Sequence, residues 1–199
     1  MIRRPPRSTP KPSSAASDVY KRQDFLVRNE ARNRFLKNLA LSLNGNTLML
    51  YQFVEKHGKP LYDQIESSVR NSIDKDRKVF FVSGEVDGDS REEIRHIVED
   101  EDNAIIVASF GTFSTGINIK RLHNIVFCSP SKSRIRVLQS IGRGLRTGDN
   151  KQIATLFDIS DNMQWKSKKN YTLEHFAERV KMYNEEKFDY KIYKVALKN

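Results

Sequence analysis

Asn46-Thr47-Leu48-Met49-Leu50-Tyr51-Gln52-Phe53-Val54 is a continuous apolar run bounded by turn residues. A strand with one wet face alternates apolar and polar residues. This run does not alternate, so it fits a strand buried on both faces of a parallel sheet. Similar runs recur along the chain: Lys78-Val79-Phe80-Phe81-Val82, Ala104-Ile105-Ile106-Val107-Ala108, Asn124-Ile125-Val126-Phe127-Cys128 and Ile153-Ala154-Thr155-Leu156-Phe157-Asp158-Ile159. Helical patterns separate them. Residues 24–43 carry Phe25, Phe35, Leu36, Leu39 and Leu43 near helical spacing, with Arg28, Arg32 and Lys37 elsewhere and Gly45 as a stop. Gly58-Lys59-Pro60 opens a helix running to Val69, and Ser90 with Glu93 has capping-box spacing at the head of Ile94, Ile97 and Val98. A further helix begins at Ser133. Residues 172–184 form another, with Leu173, Phe176, Val180 and Tyr183 on one side, and residues 188–197 alternate enough for a final edge strand. Strands alternating with helices at this spacing imply βαβ units. The expected fold class is α/β, with a mostly parallel sheet covered by helices on both faces.

In such a sheet ligands sit beyond the carboxyl ends of the strands. The loops at those ends carry Gln52, Ser83-Gly84, residues 109–118 and Pro130. One helix after them holds Leu138-Gln139-Ser140-Ile141-Gly142-Arg143-Gly144-Leu145-Arg146. Arginines three apart share a helix face. Each guanidinium is permanently charged and forks two donors onto phosphate oxygens, and glycine beside them lets a polyphosphate or another backbone approach. By itself the pattern fits either a phosphate site or a solvated helix end.

Charge narrows the choice. The net charge is +10. Residues 1–23 hold six Lys/Arg and one Asp, a net of +5, so the other 176 residues also carry +5. Between Ala104 and Gly148 there is no Asp or Glu, while Lys120, Arg121, Lys132, Arg134, Arg136, Arg143 and Arg146 all lie there. That asymmetry points to an anionic partner, although buried strands would exclude acids in any case. The single cysteine, Cys128, reads as a small core residue and fits a reducing compartment. No apolar run approaches the roughly 20 residues of a membrane span. At 199 residues the chain can bury roughly 70% of its unfolded surface without disulfides. Residues 1–23 have no hydrophobic period and are rich in Pro, Ser and Arg. They resemble the read-through of a sequencing adapter and are expected to be a disordered, artefactual leader. The main domain is expected over residues 24–165, with residues 166–199 packed on it as a helix-strand appendage.

Taken together the strand-end residues resemble a known family. Gln139-x-x-Gly142-Arg143-x-x-Arg146 matches motif VI of superfamily 2 helicases. Ile106-Val107-Ala108-Ser109, then Ser114-Thr115-Gly116-Ile117-Asn118, is similar to their motif V. Leu48-Met49-Leu50-Tyr51-Gln52-Phe53-Val54 is similar to motif IV, and Val82-Ser83-Gly84 to the strand-end motif that follows it. The likeness covers about residues 24–165. It is nearest to phage UvsW-type DNA helicases, including Tyr183-Asn184-Glu185-Glu186 and Tyr190-Lys191-Ile192-Tyr193 in the tail.

The resemblance implies a RecA-like, P-loop NTPase-like domain, the second of two. It also implies work on branched DNA in recombination and repair, in the cytoplasm of an infected bacterial host. ATP and Mg2+ would be the cofactors, with Mg2+ held mainly by the other domain. By the same resemblance Arg146 would be the arginine finger and Arg143 its neighbour on the γ-phosphate. Gln139, Gly142, Gly116 and Asn118 would face the nucleotide. Asn118 stands where the commoner pattern has Asp, so it could hydrogen-bond a ribose hydroxyl but would bring no charge. Ser83, Gly84, Ser109 and Thr112 are candidates for nucleic-acid phosphates, a class of contact that positions a strand without reading it. Lys120, Arg121 and Arg134, with Lys132 and Arg136, could extend that track, and Phe113 and Trp165 could stack on bases.

No Gly-x-x-x-x-Gly-Lys-Ser/Thr occurs, nor a strand-end acid pair of the Asp-Glu type. The chain is therefore expected to be half of a helicase, inactive alone, with an N-terminal RecA-like domain as its partner. The rivals are a stand-alone basic nucleic-acid-binding module and a small-molecule transferase with a phosphate-binding arginine pair. His57, His96, His123 and His175 show no metal spacing. Asp158 and Asp161 read as a turn residue and a helix cap.

Overall fold

The computed structural model describes residues 24–73, 75–83, 96, 100–114, 121–129, 154–163 and 170–197. Among the described residues five strands form the sheet: β1 (Thr47–Tyr51), β2 (Val79–Val82), β3 (Ile105–Ser109), β4 (Asn124–Phe127) and β5 (Thr155–Asp158). Their order is β2-β3-β1-β4-β5 and every pairing is parallel. The central strands β1, β3 and β4 are buried at every residue, whereas the edge strands β2 and β5 are mostly half-buried. An interior parallel strand is covered on both faces, which is why the run at residues 46–54 shows no alternation.

Period two reappears in three dimensions. Leu48, Leu50, Ile106, Ala108, Ile125 and Phe127 point to one face. Met49, Tyr51, Ile105, Val107, Val126 and Cys128 point to the other. The second face is covered by α1 (Glu30–Ser42) through Leu36 and Ala40, and by α2 (Lys59–Arg70) through Leu61, Ile65 and Val69. α4 (Tyr171–Glu185) covers the first through Val180, Met182 and Tyr183. A short helix, α3 (Phe110–Ser114), follows β3 directly. The result is three layers with helices on both faces. Among the described residues no helix is long and apolar enough to cross a membrane.

Three expectations need correction. The helix expected over residues 24–43 breaks at Asn29, whose side chain accepts from the Arg32 backbone N–H at 2.9 Å and caps α1. A good N-cap side chain competes with helix continuation, and the break turns Phe25 out to solvent and Arg32 inward. The helix expected from Gly58 starts one residue later and is entered through a π turn, Val54–Gly58, whose His57 and Gly58 N–H groups both donate to the Phe53 carbonyl. Gly58 is required there, since a Cβ would lie 2.4 Å from the Tyr51 ring. Finally, residues 188–197 form no strand. α4 ends in a Schellman motif: Phe188 N–H donates to the Tyr183 carbonyl at 2.9 Å, with Lys187 in the left-handed region at φ 57°. Phe188 and Tyr190 then lean on Tyr183 of the helix. The alternation also breaks where Ile192 and Tyr193 adjoin. The helices expected at residues 89–99 and from Ser133 lie outside the described residues.

Candidate nucleotide and nucleic-acid edge

Because every strand runs the same way, all five carboxyl ends meet on one edge. Tyr51 pairs with Ser109 and Phe127 with Asp158, so Ser83, Ser109, Gln52, Ser129 and Asp158 form a row along that edge. Ser109 is buried and caps α3: its Oγ accepts from the Thr112 N–H at 3.1 Å and lies 2.6 Å from the Thr112 hydroxyl. Ser83 is also buried.

The order of the sheet reverses around β1, and the crevice at its boundary with β4 is where open α/β sheets place ligands. Buried polar groups fill its floor. Ser129 Oγ accepts from the Gln52 N–H at 3.1 Å and lies 3.1 Å from His57 Nδ1. Arg32 reaches the same place from α1, donating through Nη1 to the Cys128 carbonyl at 2.8 Å. His57 is fully buried, and among the described residues its Nε2 has no hydrogen-bond partner. Burial, then the charge of Arg32, pushes its pKa down from 6.5 to about 3.

The unfolded chain therefore takes up a proton below about pH 6.5, while the folded chain resists it until about pH 3. The contribution of His57 is complete above pH 6.5 and lost as pH falls from there, at up to about 1.4 kcal/mol per pH unit. In urea unfolding, His57→Gln is expected to lose less stability than the parent between pH 7 and pH 5. Equally steep curves would show that another group titrates.

Residues 31–148 match the family described as helicase conserved C-terminal domain. The chain belongs to that family. The helicase domain is 40% identical over 172 residues to the ATP-dependent DNA helicase uvsW of Enterobacteria phage T4, covering 80% of this chain and 33% of that one. It thus spans about a third of the length of that curated relative. In three dimensions it matches the crystal structure of T4 UvsW with a TM-score of 0.65 and 35% identity, over 84% of this chain and 35% of that one. The C-terminal part of the Fun30 ATPase domain shares the fold, with a TM-score of 0.53 at 16% identity, over 73% of this chain and 44% of that one. The sheet is that of a RecA-like helicase domain.

The helicase domain brings Ser83, Ser109 and Thr112 to the carboxyl edge, but not Arg121. Arg121 precedes β4 at the amino-terminal edge, where it pairs with Asp102 and its carbonyl accepts from Asn46. Gly84, Gly116, Asn118, Lys120, Lys132, Arg134, Arg136, Gln139, Gly142, Arg143, Arg146 and Trp165 lie outside the described residues, as does the side chain of Phe113.

Asp158 and Asp161 are neither a turn residue nor a helix cap. Asp158 accepts from Arg179 Nε at 2.6 Å and Nη2 at 3.0 Å, and from the Tyr183 hydroxyl at 2.9 Å. Asp161 accepts from Arg32 Nε at 2.8 Å and Nη2 at 3.0 Å. α4 is capped instead by Asn170, whose side chain accepts from the Leu173 N–H. One signal for both pairs stood in the sequence. Arg179 lies four residues before Tyr183, and Arg32 four before Leu36, so each arginine sits on the apolar stripe of its helix. A buried arginine requires a buried carboxylate.

Proposed function

We propose that this chain is the C-terminal RecA-like half of an ATP-dependent DNA helicase or translocase acting on branched DNA, through fork regression, branch migration and R-loop unwinding. The observation that carries the reading is the 40% identity to the phage T4 DNA helicase over 172 residues, supported by four strand-end stretches that resemble superfamily 2 motifs in order. ATP would lie between this domain and a preceding RecA-like domain. Gln139, Gly142, Gly116 and Asn118 would face the nucleotide, while Arg143 and Arg146 would neutralise charge on the γ-phosphate. Phosphoryl transfer asks a protein for position and charge rather than covalent chemistry, which suits an arginine pair.

Asp158 and Asp161 are both committed to arginines, so neither carboxylate is open to Mg2+. The reading assigns the ion to residues of the preceding domain. Ser83, Gly84, Ser109 and Thr112 would bring hydroxyls and backbone N–H groups to nucleic-acid phosphates, and Lys120 and Arg134 would add charge. Ser109 and Thr112 already hydrogen-bond one another, so their contribution would run mainly through the backbone of α3. Arg121, at the opposite edge, has no part in that track.

The test is ATP hydrolysis by the isolated chain, with and without DNA. No turnover above background is expected. Robust turnover by this chain alone would overturn the reading, because the arginine side of the cleft cannot hold Mg2+-ATP by itself.

A further inference from the structure

Past the Schellman turn the chain carries exposed rings among exposed lysines. Phe188, Tyr190 and Tyr193 are 37%, 43% and 77% exposed, and Lys187, Lys191 and Lys194 are exposed beside them. Two of the rings are held in place. Phe188 and Tyr190 lie 6.4 and 6.2 Å from the Tyr183 ring, each tilted by 51°, and Tyr183 is buried in the core. Each therefore has a side fixed by the domain and a side facing water. A ring already ordered by packing loses little further freedom on binding.

We propose that residues 187–197 form a binding strip for single-stranded nucleic acid. Unpaired bases would stack on Phe188, Tyr190 and Tyr193, and Lys187, Lys191 and Lys194 would meet the phosphates. Aromatic faces interleaved with cations are the elements of sequence-tolerant single-strand binding. In a duplex the base faces are hidden by their neighbours, so the strip selects unpaired strands. Glu185, Glu186 and Asp189 lie at its helix end, which places the attractive charge toward Lys191 and Lys194. Ile192, Val195 and Leu197 are exposed as well, and a protein partner is the alternative that the experiment must separate. The proposal rests on the helicase reading only for the class of ligand.

The experiment is fluorescence anisotropy of a labelled oligothymidylate titrated with the whole chain, without nucleotide. Tyr190→Ala combined with Tyr193→Ala is expected to raise Kd about tenfold or more. The same pair changed to Phe keeps binding, and changed to Leu loses it, because Leu retains apolar area but has no ring to stack. Tyr193 is exposed and Tyr190 half so, and an unchanged melting temperature confirms the fold. Lys191→Gln with Lys194→Gln is expected to flatten the salt slope by about 1.4, or roughly 0.7 per phosphate contact. Three results overturn the proposal: no binding of oligothymidylate, an unchanged Kd in the double Ala variant, or Leu variants that bind like the parent. A change of oligomeric mass in the Ala variant would point instead to a protein surface. The assay contains no ATP, so its failure leaves the arginine reading standing, and the converse holds too.

Discussion

In a protein that carries both helicase domains, Arg146→Ala is expected to lower kcat for ATP by about 10³-fold or more, within the range an arginine finger supplies in GTPases. The effect is electrostatic. Charge builds on the γ-phosphate oxygens in the transition state, and a guanidinium held in a site without bulk water meets it without solvent reorganisation. If Arg146 acts only at that moment, kcat and kcat/KM should fall together while KM for ATP stays near its starting value. Arg146→Lys keeps the charge but not the fork of donors, and is expected to recover little. The measurement is steady-state ATPase with saturating DNA, paired with a melting curve to show the fold intact. Full activity in Arg146→Ala would refute the finger assignment. The solvated-helix-end reading of Arg143 and Arg146 predicts that outcome.

The second large effect is on stability. Arg179→Ala is expected to cost about 3–5 kcal/mol. Arg179 and Asp158 are 5% and 8% exposed at their side chains, and the pair is bidentate. Removing the guanidinium takes a bidentate, charged partner from the Asp158 carboxylate in a site that water reaches poorly. Ser160 Oγ loses its donor at 2.6 Å as well. Small domains are stable by only about 5–15 kcal/mol, so a large share would be lost. Changing both partners should do less harm than changing one: Asp158→Asn with Arg179→Met removes both charges of the pair together. Urea unfolding of the single and double variants is the check. A loss under about 1 kcal/mol in Arg179→Ala would mean that the pair contributes no more than a surface ion pair.

The same pair marks a limit of what can be read along a chain. Periodicity told which residues face inward, because it is a property of neighbours three or four apart on a helix and two apart on a strand. All five strands were legible for that reason, within one or two residues at most ends and a few at the longest run. So was the gathering of Gln52, Ser83 and Ser109 on one edge, since parallel strands joined by crossovers put all carboxyl ends together. The break at Asn29 was a local contest between a capping side chain and the next turn of helix. Asn29 followed by Glu30 was a readable start signal that the apolar spacing of Phe25 and Leu36 masked. Residues 188–197 alternate yet form no strand, because alternation alone does not bring a segment to a sheet edge.

What the sequence determined by itself was the α/β class, the two-faced burial of the central strands and the helicase motifs in order. All of these depend on residues close together in the chain or on a pattern that recurs along it. Only the tertiary structure decided which buried charges meet. Arg32 finds Asp161 across 129 residues, and Arg179 finds Asp158 across 21. It also brought His57 beneath Ser129 and set Arg121 on the edge away from Ser83. Those partnerships follow from strand order and from where each helix crosses the sheet. A periodic pattern fixes the face a side chain takes, but not the element that it finds on that face.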